Sequence, residues 1–142
     1  MLMTISYDKA IDLLSRREHS RLELKQKLMQ RNFSEEEINV TLDQLIKNNF
    51  QSDERFSESY VRHRKQSGFG PLKITAELIE RGITNALISV VIDLNADEWR
   101  EQMITLWKRK FSDASRDKPK QFRFLLSRGF SAEMIRDVLF IN

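Results

Sequence analysis

Apolar residues recur at helical spacing along most of the chain. In "SEEEINVTLDQLIKNNF", Ile38, Leu42, Leu45 and Ile46 fall at i, i+4, i+7 and i+8, a single apolar stripe separated by polar positions. Ser34 followed by Glu37 reads as a capping box, in which the hydroxyl accepts an orphan backbone N–H and the carboxylate reaches back to the cap's own N–H. A helix from Ser34 to about Asn48 is predicted. Ser20 with Glu23 predicts a second box, opening a helix that carries Leu24 and Leu28 toward Arg31. Before it, Ile11, Leu13 and Leu14 mark a first helix ending near Arg17.

The pattern continues downstream. Ser52 precedes Asp53 and Glu54, acids suited to the positive end of a helix dipole, and Phe56, Tyr60, Val61 and Arg64 extend that helix until "SGFGP" breaks it. Pro71 restarts the chain at a first helical position, Ile74 and Leu78 continue its apolar face to Arg81, and Thr84 caps a helix bearing Ile88, Val91 and Ile92. "ALISVVI" is rich in β-branched residues and alone suits a strand, but its place after a cap predicts a buried helix. From about Asp97 a long helix carries Trp99, Met103, Leu106, Trp107 and Phe111. "SDASRDKPK" reads as a linker, Phe122, Phe124, Leu125 and Leu126 lead into another helix, and Ser131 caps a last one with Ile135 and Leu139.

These segments repeat. "LMQRNFSEEEI", "ELIERGITNALI" and "LLSRGFSAEMI" align on Arg31, Arg81 and Arg128, separated by 50 and 47 residues. Ile38, Ile88 and Ile135 each lie four residues past the cap, and Leu42, Ile92 and Leu139 each lie eight past. The same steps relate Ala10 to Tyr60, Phe56 to Met103, Tyr60 to Trp107 and Arg64 to Phe111. The expected fold is all-α: three tandem three-helix repeats, residues 1–50, 51–94 and 95–142, forming an elongated, curved helical array. Gly82 and Gly129 sit where a residue past a helix end adopts positive φ, and asparagine tolerates that conformation, so Asn32 fits the same turn. The arginines before them suit the negative helix end, with a binding role as the alternative.

Composition narrows the function classes. With 142 residues and 40% hydrophobic content, the chain can bury a modest core, and 4 Gly and 2 Pro leave little material for a many-stranded fold. Cysteine is absent, which excludes disulfides, thiolate chemistry and cysteine-ligated metals. The longest apolar-rich run, "ALISVVIDL", is far short of the roughly 20 residues that cross a bilayer, and no leader pattern opens the chain, so a cytoplasmic protein without a membrane partner is expected. His19 and His63 stand alone without metal-ligand spacing and are expected on the surface. No phosphate loop, zinc motif or nucleophile elbow is present, so no catalytic residue, metal site or cofactor is assigned.

Charge offers the remaining candidate chemistry. The net charge is +3, and it belongs to residues 95–142, which hold 10 Lys and Arg against 7 Asp and Glu. Basic runs at Arg16, Arg17 and Arg21, at Arg62, Arg64 and Lys65, and at Lys108, Arg109 and Lys110 recur at or near the end of each repeat's first helix. Lys118, Lys120 and Arg123 follow the last run. They are candidate contacts to a protein or DNA partner, or else solvated helix faces whose cations oppose the dipole. Tyr60, Trp99, Trp107 and Phe111 could stack on bases, but their spacing favours core packing.

"SDERFSESYVRHR", residues 52–64, and "GPLKITAELIERGI", residues 70–83, resemble two blocks of the RecX family of regulatory proteins, which modulate the RecA recombinase. "LLSRREHSRLELKQKL" and "FLLSRGFSAEMI" are similar to that family's opening and closing patterns, so the resemblance spans the chain in order. The sequence departs from the family at Asn32, which replaces the usual glycine, at Ser52, which replaces the first of an acidic pair, and in the last linker. The resemblance implies a non-enzymatic crescent that binds the RecA filament on single-stranded DNA, and a monomer is expected. It further implies that this lowers filament extension, ATP hydrolysis, strand exchange and repressor cleavage. A basic helical-repeat nucleic-acid binder and a scaffold for an unrelated protein are the alternatives.

Overall fold

Helical periodicity is realised in nine helices among the residues that the computed structural model describes, 2–111 and 116–140, with side chains from residue 5 onward. They are α1 (Leu2–Arg16), α2 (Arg21–Gln30), α3 (Glu35–Lys47), α4 (Asp53–Gln66), α5 (Pro71–Glu80), α6 (Asn85–Val91), α7 (Asp97–Lys110), α8 (Lys118–Ser127) and α9 (Ala132–Leu139). In sequence order they form three tandem three-helix repeats. The described chain divides into two compact units, one holding residues up to Tyr60 with Leu78–Val91, the other Val61–Glu77 with the residues from Ile92 on.

Caps set the helix starts. Ser20 accepts from the Glu23 N–H at 3.1 Å while the Glu23 carboxylate accepts from the Ser20 N–H at 3.0 Å, a complete capping box. Ser52, Thr84 and Ser131 likewise accept from the N–H three residues on, at 3.1, 3.2 and 3.1 Å. Ser34 makes only half of its predicted box. Its hydroxyl accepts from the Glu37 N–H at 3.2 Å, but it also donates to Glu37 Oε1 at 3.1 Å, so the carboxylate is held by the side chain instead of the cap's backbone. The linker expectation over 112–120 is corrected at its end, because Asp117 caps α8 by accepting from the Lys120 N–H at 3.1 Å, with Pro119 inside the first turn; residues 112–115 lie outside the described residues.

The ends of α2, α5 and α8 share one turn. Asn32, Gly82 and Gly129 have φ of 66°, 83° and 101°. The Gly82 and Ile83 N–H groups donate to the carbonyls of Ile79 (3.0 Å) and Leu78 (3.1 Å). Gly129 and Phe130 do the same toward Leu126 (3.1 Å) and Leu125 (3.3 Å), which is the Schellman arrangement. Its customary apolar clasp is present, since Ile83 and Leu78, and Phe130 and Leu125, are all buried.

The aligned aliphatic positions enter the core. Ile38, Ile88 and Ile135 are buried, as are Leu42, Ile92 and Leu139. In the first unit α1, α2 and α3 pack around Ala10, Leu13, Leu24, Leu28, Ile38, Leu42 and Leu45. In the second, Met103, Leu125, Phe130, Ile135 and Leu139 form the core of α7, α8 and α9. Each such side chain contributes about 1.5–3 kcal/mol through removal from water. "ALISVVI" is helical as predicted through Val91, where α6 ends one residue short of Ile92, and it is buried on one face only, with Val90 73% exposed.

A Cβ on Gly129 would stand 2.5 Å from Lys73 Cβ and 2.7 Å from the Lys73 backbone N, on top of the strain of positive φ. Gly129→Ala is therefore expected to lower the unfolding free energy by about 2 kcal/mol or more, whereas Asn32→Gly should change it by less than about 1 kcal/mol. Urea unfolding of the two variants checks this, and an unchanged midpoint for Gly129→Ala would contradict the account.

Candidate partner-binding surface

The basic residues separate into those held internally and those left free. At the end of α1, Arg16 pairs with Asp12 at 3.2 Å on an exposed helix face, an interaction worth little. Arg17 is better engaged: Nη1 and Nη2 donate to Glu23 Oε1 and Oε2 at 3.1 and 3.3 Å, and Nη1 donates to the Glu18 carbonyl at 2.8 Å. Arg21 uses its backbone N–H to reach Asp53 Oδ1 at 2.8 Å, while its side chain has no partner among the described residues.

The second run divides in the same way. Arg62 is exposed and unpaired among the described residues. Arg64 makes a two-pronged pair, Nε and Nη2 donating to Glu77 Oε1 and Oε2 at 2.9 and 2.7 Å, with its guanidinium 3.8 Å from the Phe69 ring centre. Lys65 pairs with Glu98 and lies 4.6 Å from the Trp99 ring centre. On α7, Lys108 and Arg109 are exposed without ion pairs among the described residues, and Lys110 lies over Phe124 at 5.3 Å. Lys118 covers Trp107 at 5.4 Å, while Lys120 and Arg123 are exposed.

Within the second unit, the ends of α4 and α7 meet along a groove of about 380 Å³. Lys65, Gln66, Ser67 and Gly68 line one side and Glu101, Gln102, Thr105, Leu106 and Arg109 the other, with Phe130 also present. Gln102 Oε1 is buried there with no hydrogen-bond partner among the described residues. The fold thus brings Lys65 and Arg109, from successive runs, to one concave surface.

The turn arginines make contacts of their own within the fold. Arg31 donates to the Lys27 carbonyl at 3.5 Å, as a helix-end cation should. Arg81 lies 4.8 Å from the Tyr60 ring centre and 3.8 Å from Glu23 Oε2, and Arg128 lies 5.0 Å from both Phe69 and Phe124. The aromatics also pack inward: Trp99 is buried and its Nε1 donates to the Asp93 carbonyl at 2.9 Å, while Trp107 Nε1 donates to Gln121 Oε1 at 2.9 Å.

His19 corrects an expectation, because it is buried instead of lying on the surface. Its Nδ1 lies 3.0 Å from the Arg17 carbonyl and its Nε2 2.9 Å from Lys27 Nζ. Its own carbonyl accepts from Gln51 Nε2 at 3.2 Å, and Gln51 also donates to Asp53 Oδ1 at 2.9 Å. Arg55 joins the same region, with Nε on Glu18 Oε1 at 3.0 Å and Nη2 on the Phe50 carbonyl at 3.1 Å. Burial lowers the His19 pKa, and the Arg17 and Lys27 charges lower it further against the backbone hydrogen bond. For Glu23, burial raises the pKa, but the Arg17 and Ser20 hydrogen bonds and the Arg17 charge outweigh it and hold the carboxyl low. Of this cluster only the Ser20–Glu23 capping pair was legible in the sequence.

Three tandem three-helix modules define an all-α helical-repeat protein, and comparison with known proteins identifies which kind. Models of the first, second and third three-helix domains of RecX match residues 7–45, 52–92 and 96–139. The chain belongs to the RecX family of regulatory proteins. Regulatory protein RecX of Pseudomonas fluorescens (strain SBW25) is 43% identical over 134 residues, 92% of this chain and 86% of that protein. That of Pseudomonas putida (strain GB-1) is 42% identical over the same shares. The crystal structure of RecX from Lactobacillus salivarius matches with a TM-score of 0.82 at 27% identity, covering 98% of this chain and 94% of that one.

A histidine whose folded pKa lies below its unfolded value stays neutral in the fold while the unfolded chain takes up a proton. Stability is therefore complete above the unfolded pKa near 6.5 and falls as pH drops from there toward the folded pKa. The Glu23 loss comes lower, below 4.5. Urea unfolding between pH 7.5 and 5 should show declining stability, and His19→Asn should flatten that decline; an equal slope in both proteins would refute the assignment.

Proposed function

We propose that this chain binds the RecA filament on single-stranded DNA and restrains it, inhibiting extension, ATP hydrolysis, strand exchange and repressor cleavage, without itself catalysing a reaction. The observation that carries this reading is the presence of all three RecX modules in order along the chain. Modules of residues 1–50, 51–94 and 95–142 act together as a cytoplasmic monomer. A filament with single-stranded DNA at its core is a long, periodic and largely anionic partner, for which a repeat protein with unpaired cations is suited.

The cations best placed to serve are those without internal duties: Arg21, Arg62, Lys108, Arg109, Lys120 and Arg123. Arg16, Arg17, Arg64, Lys65, Lys110 and Lys118 would contribute mainly by shaping the surface, since each already faces an acid or a ring.

Added to RecA, single-stranded DNA and ATP, the protein should lower the steady hydrolysis rate at substoichiometric ratios. Inhibition only at DNA-covering amounts would favour simple competition for DNA, and binding to neither filament nor DNA would favour a scaffold for another partner. Charge reversal at Arg62 and Arg109 should weaken filament binding while helical circular dichroism stays unchanged. Arg64 is best left intact in that set, because a carboxylate there would face Glu77. Undiminished binding by the double variant would remove the unpaired cations from the interface.

A further inference from the structure

Among the described residues, Lys27 lacks the carboxylate partner that its position on α2 would ordinarily offer. Glu23, one turn earlier, is occupied by Arg17 at 3.1 and 3.3 Å and by the Ser20 N–H at 3.0 Å. Lys27 Nζ instead faces His19 Nε2 at 2.9 Å. The other ring nitrogen, Nδ1, lies 3.0 Å from the Arg17 carbonyl oxygen, which can only accept. Nδ1 therefore carries the proton and Nε2 keeps its lone pair, aimed at the lysine amine.

The surroundings make the amine less basic than an ordinary lysine. Burial and the like charges of Arg17, Arg31 and Arg16 lower the Lys27 pKa, which Glu23 offsets only in part. Lys27 is nonetheless partly exposed, and Arg16, Arg17 and Arg31 are exposed at the surface. The result is a partly exposed amine, a base fixed in the right tautomer, and, one turn on, the exposed Arg31 guanidinium, free of any acid among the described residues and able to attract an anion.

We propose that Lys27 is a site of covalent acylation by small acyl phosphates, with His19 as the base and Arg31 as the anion receptor. The neutral Nζ attacks the acyl carbonyl carbon, forming the N–C bond, and the C–O bond to phosphorus breaks as phosphate leaves with its electron pair. The proton shed by nitrogen passes to His19 Nε2 and then to water. The products are an Nε-acyl-lysine and inorganic phosphate.

Acetyl phosphate incubated with the full-length protein at pH 7.5, followed by site-resolved peptide mass spectrometry, tests this. Lys27 should be acetylated at least about tenfold faster than Lys25, which lies two residues away beside Glu35. Equal rates at the two lysines would overturn the proposal, and this comparison needs no variant. His19→Asn keeps a donor for the Arg17 carbonyl but removes the base, so Lys27 should fall to the Lys25 rate with helical content unchanged; an undiminished lead would eliminate His19. Acetyl-coenzyme A, whose leaving group is a thiolate, should label Lys27 with less preference over Lys25, and an equal preference would eliminate the arginine receptor.

Discussion

The left-handed residue after the second helix of each repeat is the constraint on which the rest depends. A helix ends with carbonyls that lack partners, and a residue at positive φ folds the chain back so that the next two N–H groups satisfy them. At Gly82 and Gly129 that reversal puts Ile83 and Phe130 directly onto the helix just completed, and sets Thr84 and Ser131 where their hydroxyls cap the next helix. The third helix then starts in a fixed register. That is why the isoleucine four residues past each cap, and the aliphatic residue eight past, are buried in all three repeats.

Features governed by neighbours in sequence were legible, and those governed by distant partners were not. Capping serines, the restart at Pro71, positive φ at Asn32, and the aligned isoleucines all follow from spacing within one or two turns. Half of the predicted Ser34 box is not realised because a capping carboxylate can accept from either the cap's backbone or its hydroxyl, and spacing alone does not choose. His19 was misread because its burial comes from Lys27, eight residues away, and Gln51, thirty-two away. A polar segment such as "REHSR" carries no sign that its histidine will be enclosed.

The candidate surface was legible as composition and only partly as chemistry. Basic residues do gather at the ends of α1, α4 and α7, while Arg21 opens α2 and Lys118 opens α8, but being charged does not make a residue available. Arg64 and Lys65 close on Glu77 and Glu98, which lie 13 and 33 residues away, whereas Arg62, two residues before Arg64, remains exposed. The planar fork of an arginine between a carboxylate and an aromatic face is partly desolvated and already satisfied, so recruiting it for a partner would expose Glu77. A solvated cation carries no such penalty.

The repeats also show how one position can be filled by different chemistry. Arg64 and Glu77 join the first and second helices of the middle repeat through two hydrogen bonds. Stepping forward by the repeat interval gives Phe111 and Phe124, whose rings meet edge to face with centres 5.5 Å apart. An ion pair and an aromatic pair of similar reach thus occupy equivalent places, as expected if a half-buried salt bridge gains little net energy over apolar packing. Stepping back gives Leu14 and Lys27, where the cation has no acid opposite it. The first repeat therefore leaves at this position an amine whose contact is the His19 ring, where its two relatives close on an ion pair and on an aromatic pair.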